Sequence, residues 1–534
     1  MFDIVVRNGY VVDGTGSPRF RADVGIKNGQ IVEIGELGCE ETRGDLEAKG
    51  LMVAPGFTDM HSHSDFSLLI NPRAESKIRQ GITTEVVGNC GSSAAPLNPF
   101  IKEEIKKTTP VLEEAGLKLD WLTMREYLGR LETKRIAVNV VPLAGHGPIR
   151  TFVMEYDNRA PTENELDEMK RVLSQTLEDG AFGLSSGLIY PPSCYADIEE
   201  LIELCKVVAQ FGGFYASHVR GEGAHLLESV KEAIEIGAKA SVPVEISHHK
   251  AAGKANWGKV TQTLQMISDA RNRGLDITCD VYPYIAGSFG LGAMLPPHAH
   301  EGGVEKLIER LHDPKTRQKL KGEMQEGTRG WSSPLKTGGW DATVIAYCKG
   351  KPSLEGKTIS EISESRGVDP FDFVFDLLIG ETASVGVVRF LMCEEDVGTV
   401  LRHAVSMIGT DSSARAPYGV LGEGKPHPRS YGTFPRVLGK YVRQEKIVSF
   451  ENAIYKMTSM PAQKLRLTNR GLIKAGMWAD ITVIDPERVI DKATYPQPHQ
   501  YPEGIEYVLV NGEVVVDRGE HTGALPGQVL RLRR

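Results

Sequence analysis

The sequence predicts an α/β protein: a (β/α)8 TIM-type barrel with a small β-sandwich domain built from both termini and an inserted lid segment. Three observations predict this fold. Short apolar strands alternate with helical segments through the middle of the chain, both ends are rich in short strands joined by turns, and the alternation breaks once. With 534 residues the chain also exceeds an ordinary single domain, so two lobes are expected.

The two ends of the chain are predicted to share one β-sandwich domain, made of residues 1–56 and 470–534. Strand patterns near the N-terminus are DIVVRNG, YVVDGTG and DVGIKNGQIVEIG, and those near the C-terminus are DITVID and EYVLVNGEVVVDRG. Neither set alone would bury the face of its sheet well. Pairing of the two ends solves this problem, with the rest of the chain inserted between them.

The middle of the chain, residues 57–469, is predicted to form the barrel. Helical segments between its strands carry their own signals, such as the predicted capping box of Thr162 and Glu165. Eight parallel strands separated by helices close most simply into a barrel with its chemistry at the C-terminal strand ends, and an open doubly wound sheet is the alternative. The strand segments are TDMHSH, ITTEVVGN, IAVNVVPLAGH, GAFGLSS, GGFYASHV, VPVEISHH, LDITCDVY and VSMIGTD.

The alternation breaks at about residues 285–351, where GSFGLGAMLPPHAHEGG precedes a charged helix and then GTRGWSSPLKTGGW. Because this stretch follows a strand end, it predicts an insertion over the barrel mouth, and a lid is its natural use. An ordinary surface excursion is the alternative.

Composition and charge exclude several classes of partner. The formal net charge of −8 leaves no basic field for nucleic acid or anionic lipid. No apolar run approaches the ~20 residues that a membrane span needs, and the N-terminus lacks the apolar core of a signal peptide, so a cytoplasmic protein is expected. Seven cysteines without close pairs indicate reduced thiols, at least one of which is available to a metal.

Two histidines at the end of the first barrel strand give the strongest local signal, in the segment Asp59-Met60-His61-Ser62-His63. Residues two apart on a strand share a face, so both imidazoles are predicted to point into the barrel mouth. Zinc accepts such ligands. Alone, an HxH pair is weak evidence, because paired surface histidines are common.

Other strand ends finish in the same kind of residue. Each has an ordinary structural interpretation, because cysteine is often a small buried hydrophobe and a single histidine a satisfied core residue. Together with the HxH strand they make five such coincidences at one barrel rim, which favour a metal site instead. The residues are Cys90 in GNCG, His218 in ASHVR, His248 or His249 in ISHHK, and Asp411 in MIGTDS.

The motifs together resemble a known family. PGFTDMHSH, GNCG, SHVRGEG, ISHHKAAG, IGTDS, HPRSYGTFPRVLG and the closing GLIKAGMWADITVID are similar to the amidohydrolase superfamily and, within it, to the D-aminoacylase (N-acyl-D-amino-acid deacylase) family. The likeness runs over nearly the whole chain. The HxH pair and the late aspartate are shared across the superfamily, whereas the cysteine of GNCG and the segment HPRxxGTFPR are typical of the narrower family.

The resemblance implies how zinc would be held. Cys90, His218 and His248 would bind one Zn2+ tightly, and His61, His63 and Asp411 would face a second, weaker metal position. Alternation along the strand cannot choose between His248 and His249, so only the family motif selects the first. Many superfamily members bridge two metals with a carbamylated lysine at the end of the fourth strand. AFGLSSGLIY has no lysine, so Cys90 would take that role, and occupancy of the second position stays open.

The implied activity is zinc-dependent hydrolysis of N-acyl-D-amino acids, in which hydroxide attacks the acyl carbonyl. Asp411 would take the proton from water and return it to the departing amine. Asp280, at another strand end, is the competing candidate, with a supporting or turn role as its alternative. Asp59 is expected to orient the imidazoles or to support the barrel floor.

A substrate with a free α-carboxylate needs a cationic or multi-donor clamp. For each clamp residue the alternative is a solvated charge or a packed tyrosine. An apolar wall for the acyl group is expected from Phe289, Leu291 and Met294, which could equally be plain core. The predicted clamp residues are Tyr190, Lys250, Tyr282, Ser288 and Arg429, with weaker claims for Arg220, His146 and Arg150.

Two rival functions remain open at this point. The first is another amide hydrolase of the superfamily, of the hydantoinase, dihydroorotase or isoaspartyl dipeptidase type. The second is a non-catalytic scaffold that kept the barrel and lost its chemistry. The missing lysine and the GNCG motif argue against the first, and the complete ligand set argues against the second. The preferred side chain, the acyl length and the oligomeric state are not predicted.

Overall fold

In the computed structural model, residues 1–38, 41–328 and 330–532 are described. Cys39 lies outside them, and the other six cysteines are free thiols. The described strands are β1 Ile4–Val11, β2 Phe20–Lys27, β3 Gln30–Gly35, β4 Asp45–Glu47, β5 Met52–Pro55, β6 Phe57–Asp59, β7 Ile82–Val87, β8 Asn139–Pro142, β9 Ala144–Gly145, β10 Gly183–Gly187, β11 Phe214–His218, β12 Val244–Ile246, β13 Ile277–Val281, β14 Ala286–Gly290, β15 Thr343–Cys348, β16 Val385–Phe390, β17 Ser406–Ile408, β18 Ile481–Ile484, β19 Ile505–Val510, β20 Glu513–Asp517 and β21 Glu520–His521.

Between the strands lie α-helices, short 3-10 turns and one π-helix at Val437–Gln444. No helix within the described ranges is long and apolar enough to cross a membrane. The α-helices are α1 Ser67–Ile70, α2 Glu75–Ile78, α3 Pro99–Thr108, α4 Val111–Glu114, α5 Met124–Lys134, α6 His146–Met154, α7 Glu163–Glu178, α8 Ile198–Gln210, α9 Leu226–Ala240, α10 Lys259–Asn272, α11 Val304–His312, α12 Pro314–Glu326, α13 Ile359–Arg366, α14 Pro370–Gly380, α15 Glu394–Arg402, α16 Arg429–Arg436, α17 Phe450–Met457 and α18 Ser459–Lys464.

The central strands form the predicted barrel. β6, β7 and β8 make one parallel sheet, and β9 to β13 with β17 make another. Only Leu143 separates β8 from β9, so the two count as one bent strand and the total is eight. The first and last strands meet through Met60 N donating to Ile408 O at 3.3 Å and Asp411 N donating to His61 O at 2.7 Å. All eight predicted strand segments therefore appear, and their C-terminal ends share one rim.

The β-rich ends form a single nine-stranded sheet. β5 from the N-terminal part pairs antiparallel with β18 from the C-terminal part, so each end completes the sheet of the other. Buried side chains from both ends, among them Val6, Val53, Ile481 and Leu509, form its core. The last described residues leave this sheet, because Val529 bridges Val140 of β8, so the tail packs on the barrel.

The insertion is larger than the sequence indicates. Its three antiparallel strands have the order β14, β16, β15, so the middle strand lies well beyond the predicted end at residue 351. Helices α11 to α14 pack around this sheet, and a separate buried cluster that includes Leu291, Met294, Ile345, Phe375 and Val387 is its core. The insertion is therefore a small folded unit with a core of its own, rather than a loop.

The predicted capping box is present at the start of α7, the second helix after the third barrel strand. The Thr162 hydroxyl accepts from Glu165 N at 3.3 Å, and the Glu165 carboxylate accepts from Thr162 N at 2.8 Å. These bonds satisfy two amides at the start of α7 that have no partner within the helix. One face of α7, which includes Met169 and Leu173, is buried against the barrel core.

Candidate metal centre

Five strand ends deliver the predicted ligands to one rim of the barrel. His61 and His248 lie two residues past β6 and β12, and His218 is the last residue of β11. Cys90 and Asp411 lie three residues past β7 and β17. Because these strands are parallel neighbours in a closed barrel, their C-terminal ends surround one opening, and the side chains meet there.

The first ligand cluster consists of Cys90, His218 and His248. The Cys90 Sγ lies 3.5 Å from His218 Nδ1 and 3.4 Å from His248 Nε2, and the two nitrogens are 2.9 Å apart. Zinc binds thiolate at about 2.3 Å and imidazole at about 2.0–2.1 Å, so atoms around one tetrahedral zinc lie roughly 3–4 Å from each other. The cluster fits a zinc ion with three protein ligands.

The second cluster consists of His61, His63, Cys90 and Asp411, whose ligand atoms all lie within 4.8 Å of one another. The Cys90 Sγ is 3.2 Å from His61 Nε2, and the Asp411 Oδ1 is 3.0 Å from His63 Nε2 and 3.5 Å from His61 Nε2. One sulfur belongs to both clusters. Cys90 therefore lies between two possible metal positions, where the resemblance places it.

The electrostatics of the rim favour the anionic ligand forms. Burial alone would raise the pKa of the Cys90 thiol, but the His61 and His248 imidazoles hold it well below its usual range. Burial would likewise raise the pKa of Asp411, and the Arg429 guanidinium with the same imidazoles holds it well below its usual range. Thiolate sulfur, carboxylate oxygen and imidazole nitrogen are the donor types that zinc binds in proteins.

Two carboxylates contact the imidazoles from behind. Asp280 Oδ2 lies 3.3 Å from His61 Nδ1, and Asp280 Oδ1 accepts from His248 N at 2.9 Å. The His248 Nδ1 lies 2.7 Å from Lys250 Nζ and 3.1 Å from Glu222 Oε1, and these two groups form an ion pair. At His61, a carboxylate at Nδ1 favours the tautomer whose Nε2 lone pair faces Cys90. Asp280 thus stands behind the ligands, on the side away from the cavity.

His249 points away from the clusters. Its Nε2 lies 2.8 Å from the Thr263 hydroxyl of α10, and burial, followed by the nearby Lys250 ammonium, lowers its pKa to about 4. The structure therefore brings His248 to Cys90 and His218, and it leaves His249 in the packing between strand and helix.

Three of the ligands have left-handed backbone conformations. The φ angles are 51° at Cys90, 35° at His248 and 49° at Asp411. Non-glycine residues with such φ values are uncommon and cluster at functional sites, because the surrounding structure must hold them there. The turn at each of these strand ends therefore directs the side chain toward the other candidate ligands.

A cavity of about 530 Å3 opens above both clusters. All five predicted clamp residues line it: Tyr190, Lys250, Tyr282, Ser288 and Arg429. Arg429 Nη1 lies 2.8 Å from Asp411 Oδ2, and its guanidinium stacks 4.6 Å from the centre of the Tyr282 ring. Lys250 Nζ donates to Glu222 Oε1 at 2.5 Å. Hydroxyls and two cations therefore surround the side of the cavity next to the metal ligands.

Comparison with known proteins assigns the chain to a family. The model of the amidohydrolase family matches residues 46–516. The D-aminoacylase of Alcaligenes xylosoxydans xylosoxydans is 36% identical over 532 residues, which cover 99% of this chain and 97% of that protein. The chain belongs to the D-aminoacylase family of amidohydrolases.

Two further members of this family are similar over their full length. The N-acyl-D-glutamate deacylase of the same organism is 35% identical over 99% of this chain and 96% of its own. The crystal structure of the N-acyl-D-glutamate deacylase from Bordetella bronchiseptica has a TM-score of 0.83, with 33% identity and 99% coverage of both chains. That structure contains zinc and a phosphonate inhibitor, a mimic of the tetrahedral intermediate.

The three weaker clamp candidates do not line the cavity. Arg220 pairs with Glu232 at 2.9 Å, and the buried Arg150 and His146 both bind Glu200, so these side chains make structural ion pairs instead. Of the expected acyl wall, Phe289 lines the cavity. Leu291 and Met294 are fully buried in the core of the insertion, because their 3-10 turn faces its sheet.

One supporting residue that the sequence did not reveal is Lys77 of α2, whose side chain is fully buried. Its Nζ donates to Asp59 Oδ2 at 2.7 Å, to Thr410 Oγ1 at 2.8 Å and to Ser412 O at 2.8 Å, and it lies 3.2 Å from Glu85 Oε2. Burial would lower the pKa of Lys77, but the carboxylates raise it. The ammonium thus links Asp59 of the HxH strand to Thr410 and Ser412, the residues on either side of Asp411.

Proposed function

We propose that this protein hydrolyses N-acyl-D-amino acids to a carboxylate and a free D-amino acid, with zinc as its cofactor. The observation that carries the proposal is the convergence of one sulfur, four imidazoles and one carboxylate at the floor of a cavity with a cationic clamp. The handedness of the substrate comes from the relatives, whose names specify D-amino acids.

Cys90, His218 and His248 are the residues that would hold the tightly bound zinc, and His61, His63 and Asp411 would hold a second, weaker ion. When bound, zinc polarises the acyl carbonyl and lowers the pKa of water to about 7. Asp280 supports the His61 imidazole, and the ion pair of Glu222 and Lys250 contacts His248 Nδ1.

Asp411 acts as the general base and then as the general acid. Arg429 and the imidazoles keep it ionised, so its carboxylate can accept the proton of the attacking water. It then returns this proton to the amine, which leaves poorly unless it is protonated. When the substrate carboxylate also binds Arg429, the guanidinium charge is shared, and the proton affinity of Asp411 rises toward what both steps need.

The α-carboxylate of the substrate binds beside Asp411. Arg429 and Lys250 supply the charge, and the hydroxyls of Tyr190, Tyr282 and Ser288 supply neutral donors. Because these groups lie on β14, α16 and three barrel loops, they fix the amino-acid end and bring its amide over the ligand clusters.

Replacement of Asp411 by asparagine tests the mechanism. Asp411→Asn should keep zinc on Cys90, His218 and His248 but lose about 10²–10⁴ in kcat on N-acetyl-D-methionine, because the proton carrier is gone. Zinc content by elemental analysis and steady-state kinetics measure the two effects. Asp280→Asn is the matched control for the competing aspartate. Near wild-type kcat in Asp411→Asn, or a larger loss in Asp280→Asn, would show that the wrong base was named.

Rival functions are tested with substrates of other classes. Zinc-loaded enzyme should hydrolyse N-acetyl-D-amino acids faster than their L-enantiomers and faster than hydantoin. Faster ring opening would favour a hydantoinase-type enzyme. Purified protein with less than about half an equivalent of metal, and with no restoration on adding zinc, would favour a scaffold.

A further inference from the structure

Sequence identity does not tell which amino acid the substrate carries. The D-aminoacylase and the N-acyl-D-glutamate deacylase of one organism are 36% and 35% identical to this chain. The wall of the 530 Å3 cavity is therefore the better guide, because it must contact the substrate side chain.

The clamp decides where that side chain goes. Tyr190, Lys250 and Tyr282 line the large cavity and are absent from the lining of a smaller neighbouring cavity of about 190 Å3, whereas Ser288 and Arg429 line both. A carboxylate held by these groups places the α-carbon in the large cavity. The side chain on that carbon then also extends into the large cavity.

Apart from Glu104, the polar side chains of the wall beyond the ligands and the clamp are neutral hydroxyls, such as those of Ser92, Thr108 and Thr151. Its apolar side chains come from the turn before α1, from α3, from the loop after β10, from β14 and from the segment after β16. The residues are Phe66, Ile101, Ile105, Ile189, Phe289 and Met392.

The charges in the large cavity leave no cation for a second carboxylate. Its cationic side chains are Lys250, paired with Glu222, and Arg429, paired with Asp411, and both serve the α-carboxylate. The remaining charged residue, Glu104, accepts from Val304 N at 3.0 Å and lies 3.9 Å from Lys107 Nζ, which does not line the cavity. A side-chain carboxylate would thus meet apolar groups and neutral hydroxyls, with no unpaired cation in the lining to balance its charge.

We infer that the enzyme selects N-acyl-D-amino acids with uncharged apolar side chains larger than methyl, such as leucine, methionine and phenylalanine, and rejects the acidic ones. This inference rests on the proposed function. It assigns to the α3 and β14 side of the cavity the contacts that set this preference.

The smaller cavity offers a competing place for an acidic side chain. Arg415 lines it, and the guanidinium makes no hydrogen bond or ion pair with any described residue. Glu423 lines the same cavity and offsets this charge. Because three of the five clamp residues line the large cavity and not the smaller one, we assign the side chain to the large cavity, and Arg415 becomes a control position.

The first experiment compares kcat/KM for the N-acetyl derivatives of D-leucine, D-methionine, D-phenylalanine, D-alanine, D-glutamate and D-aspartate. We expect the three large apolar substrates to exceed the acidic pair by at least about 100-fold, and to exceed D-alanine. A kcat/KM for N-acetyl-D-glutamate within tenfold of the leucine derivative would overturn the inference.

Two variants locate the preference. Ile105→Arg, with Ile105→Gln as its uncharged control, should raise the ratio of glutamate to leucine turnover at least tenfold, because it adds the missing cation. Arg415→Met should leave that ratio within about twofold of wild type, given that surface-cavity charges away from the substrate couple weakly. An unchanged ratio in Ile105→Arg, or loss of glutamate turnover in Arg415→Met alone, would place the side chain elsewhere.

A binding measurement separates failure of this inference from failure of the proposed function. Calorimetry on zinc-loaded Asp411→Asn reports affinity without turnover, and N-acetyl-D-leucine should bind at least tenfold more tightly than N-acetyl-D-glutamate. If neither compound is hydrolysed by the wild type, the proposed function fails. If both are hydrolysed and glutamate binds as tightly as leucine, only the side-chain inference fails.

Discussion

Replacement of Lys77 by methionine tests how the barrel rim is held. Methionine keeps much of the apolar length of the side chain but has no proton to donate. The change removes the bonds that tie Asp59, in the HxH strand, to Thr410 and Ser412, which flank Asp411. It changes no proposed metal ligand and no clamp residue. A loss of activity would therefore come from a displacement of these residues.

The size of the effect follows from the partners that remain. Removing one member of a buried ion pair costs about 3–5 kcal/mol, because the other member is left uncompensated. Asp59 keeps the amide of Thr410, and Glu85 keeps the hydroxyls of Ser62 and Ser64, so we expect a loss near the lower end, about 3 kcal/mol. A displacement of about 1 Å at a catalytic group costs about 10² in rate, so kcat should fall by that factor.

The assay combines thermal unfolding with steady-state kinetics on N-acetyl-D-methionine at saturating zinc. Lys456→Met is the matched control, because Lys456 is also buried but donates to His403 O and to the carbonyl and hydroxyl of Ser406, and to no carboxylate. Its kcat should stay within about threefold of wild type, since it lies at the far end of β17. A wild-type kcat in Lys77→Met, or equal losses in both variants, would refute the reasoning.

Other changes test the ligands and their supports. Cys90→Ala should release zinc, and stoichiometric metal in that variant would exclude the thiolate as a ligand. Gly187→Ala should also weaken zinc binding, because its Cβ would overlap the Cys90 carbonyl oxygen, whereas Gly129→Ala in α5 meets open space and should bind zinc normally. His249 stays neutral down to about pH 4 when folded but titrates near 6.5 when unfolded, so the unfolded chain binds the extra proton between these values. The free energy of unfolding should therefore fall as pH drops from 6.5 to 4, by on the order of 3 kcal/mol from this group. The melting temperature of His249→Leu should fall less over this pH range than that of the wild type. An equal fall in both proteins would contradict the low pKa of His249.

The barrel and its rim were predictable because they follow from local pattern and general geometry. Short apolar strands separated by helices specify a closed parallel sheet, and such a sheet brings all its strand ends together. The choice between His248 and His249 was not accessible in this way. β12 ends at Ile246, and the φ of 35° at His248 breaks the alternation that a strand would continue. Side-chain direction past a strand end depends on the turn, and only the family motif selected His248.

Features that depend on distant pairing escaped prediction. β16 completes the inserted sheet by pairing with β14, about a hundred residues earlier, so nothing near residue 351 marks the true extent of the insertion. Lys77 lies in the polar segment ESKIRQ, which is typical of an exposed helix. Its burial depends on bonds from its side chain to Asp59 of the first barrel strand and to Thr410 after the last one, and Thr410 lies more than three hundred positions away in the chain.

The absence of a lysine at the end of the fourth strand is built into the backbone around Cys90. The loop of residues 88–91 lies directly on the end of β10: Gly91 N donates to the Ser185 hydroxyl at 3.0 Å, and that hydroxyl donates to Gly88 O. A Cβ at Gly91 would stand 2.6 Å from Gly187 N, so the two glycines allow this close approach. A side chain at Gly187, the last residue of β10, would meet this loop, because its Cβ would stand 2.2 Å from the Cys90 carbonyl oxygen. In its place the same loop supplies the Cys90 sulfur, which gives one negative charge shared by the two ligand clusters. Restoring a lysine on β10 would therefore require moving this loop, so a carbamate and the Cys90 thiolate are alternative solutions to the same electrostatic need.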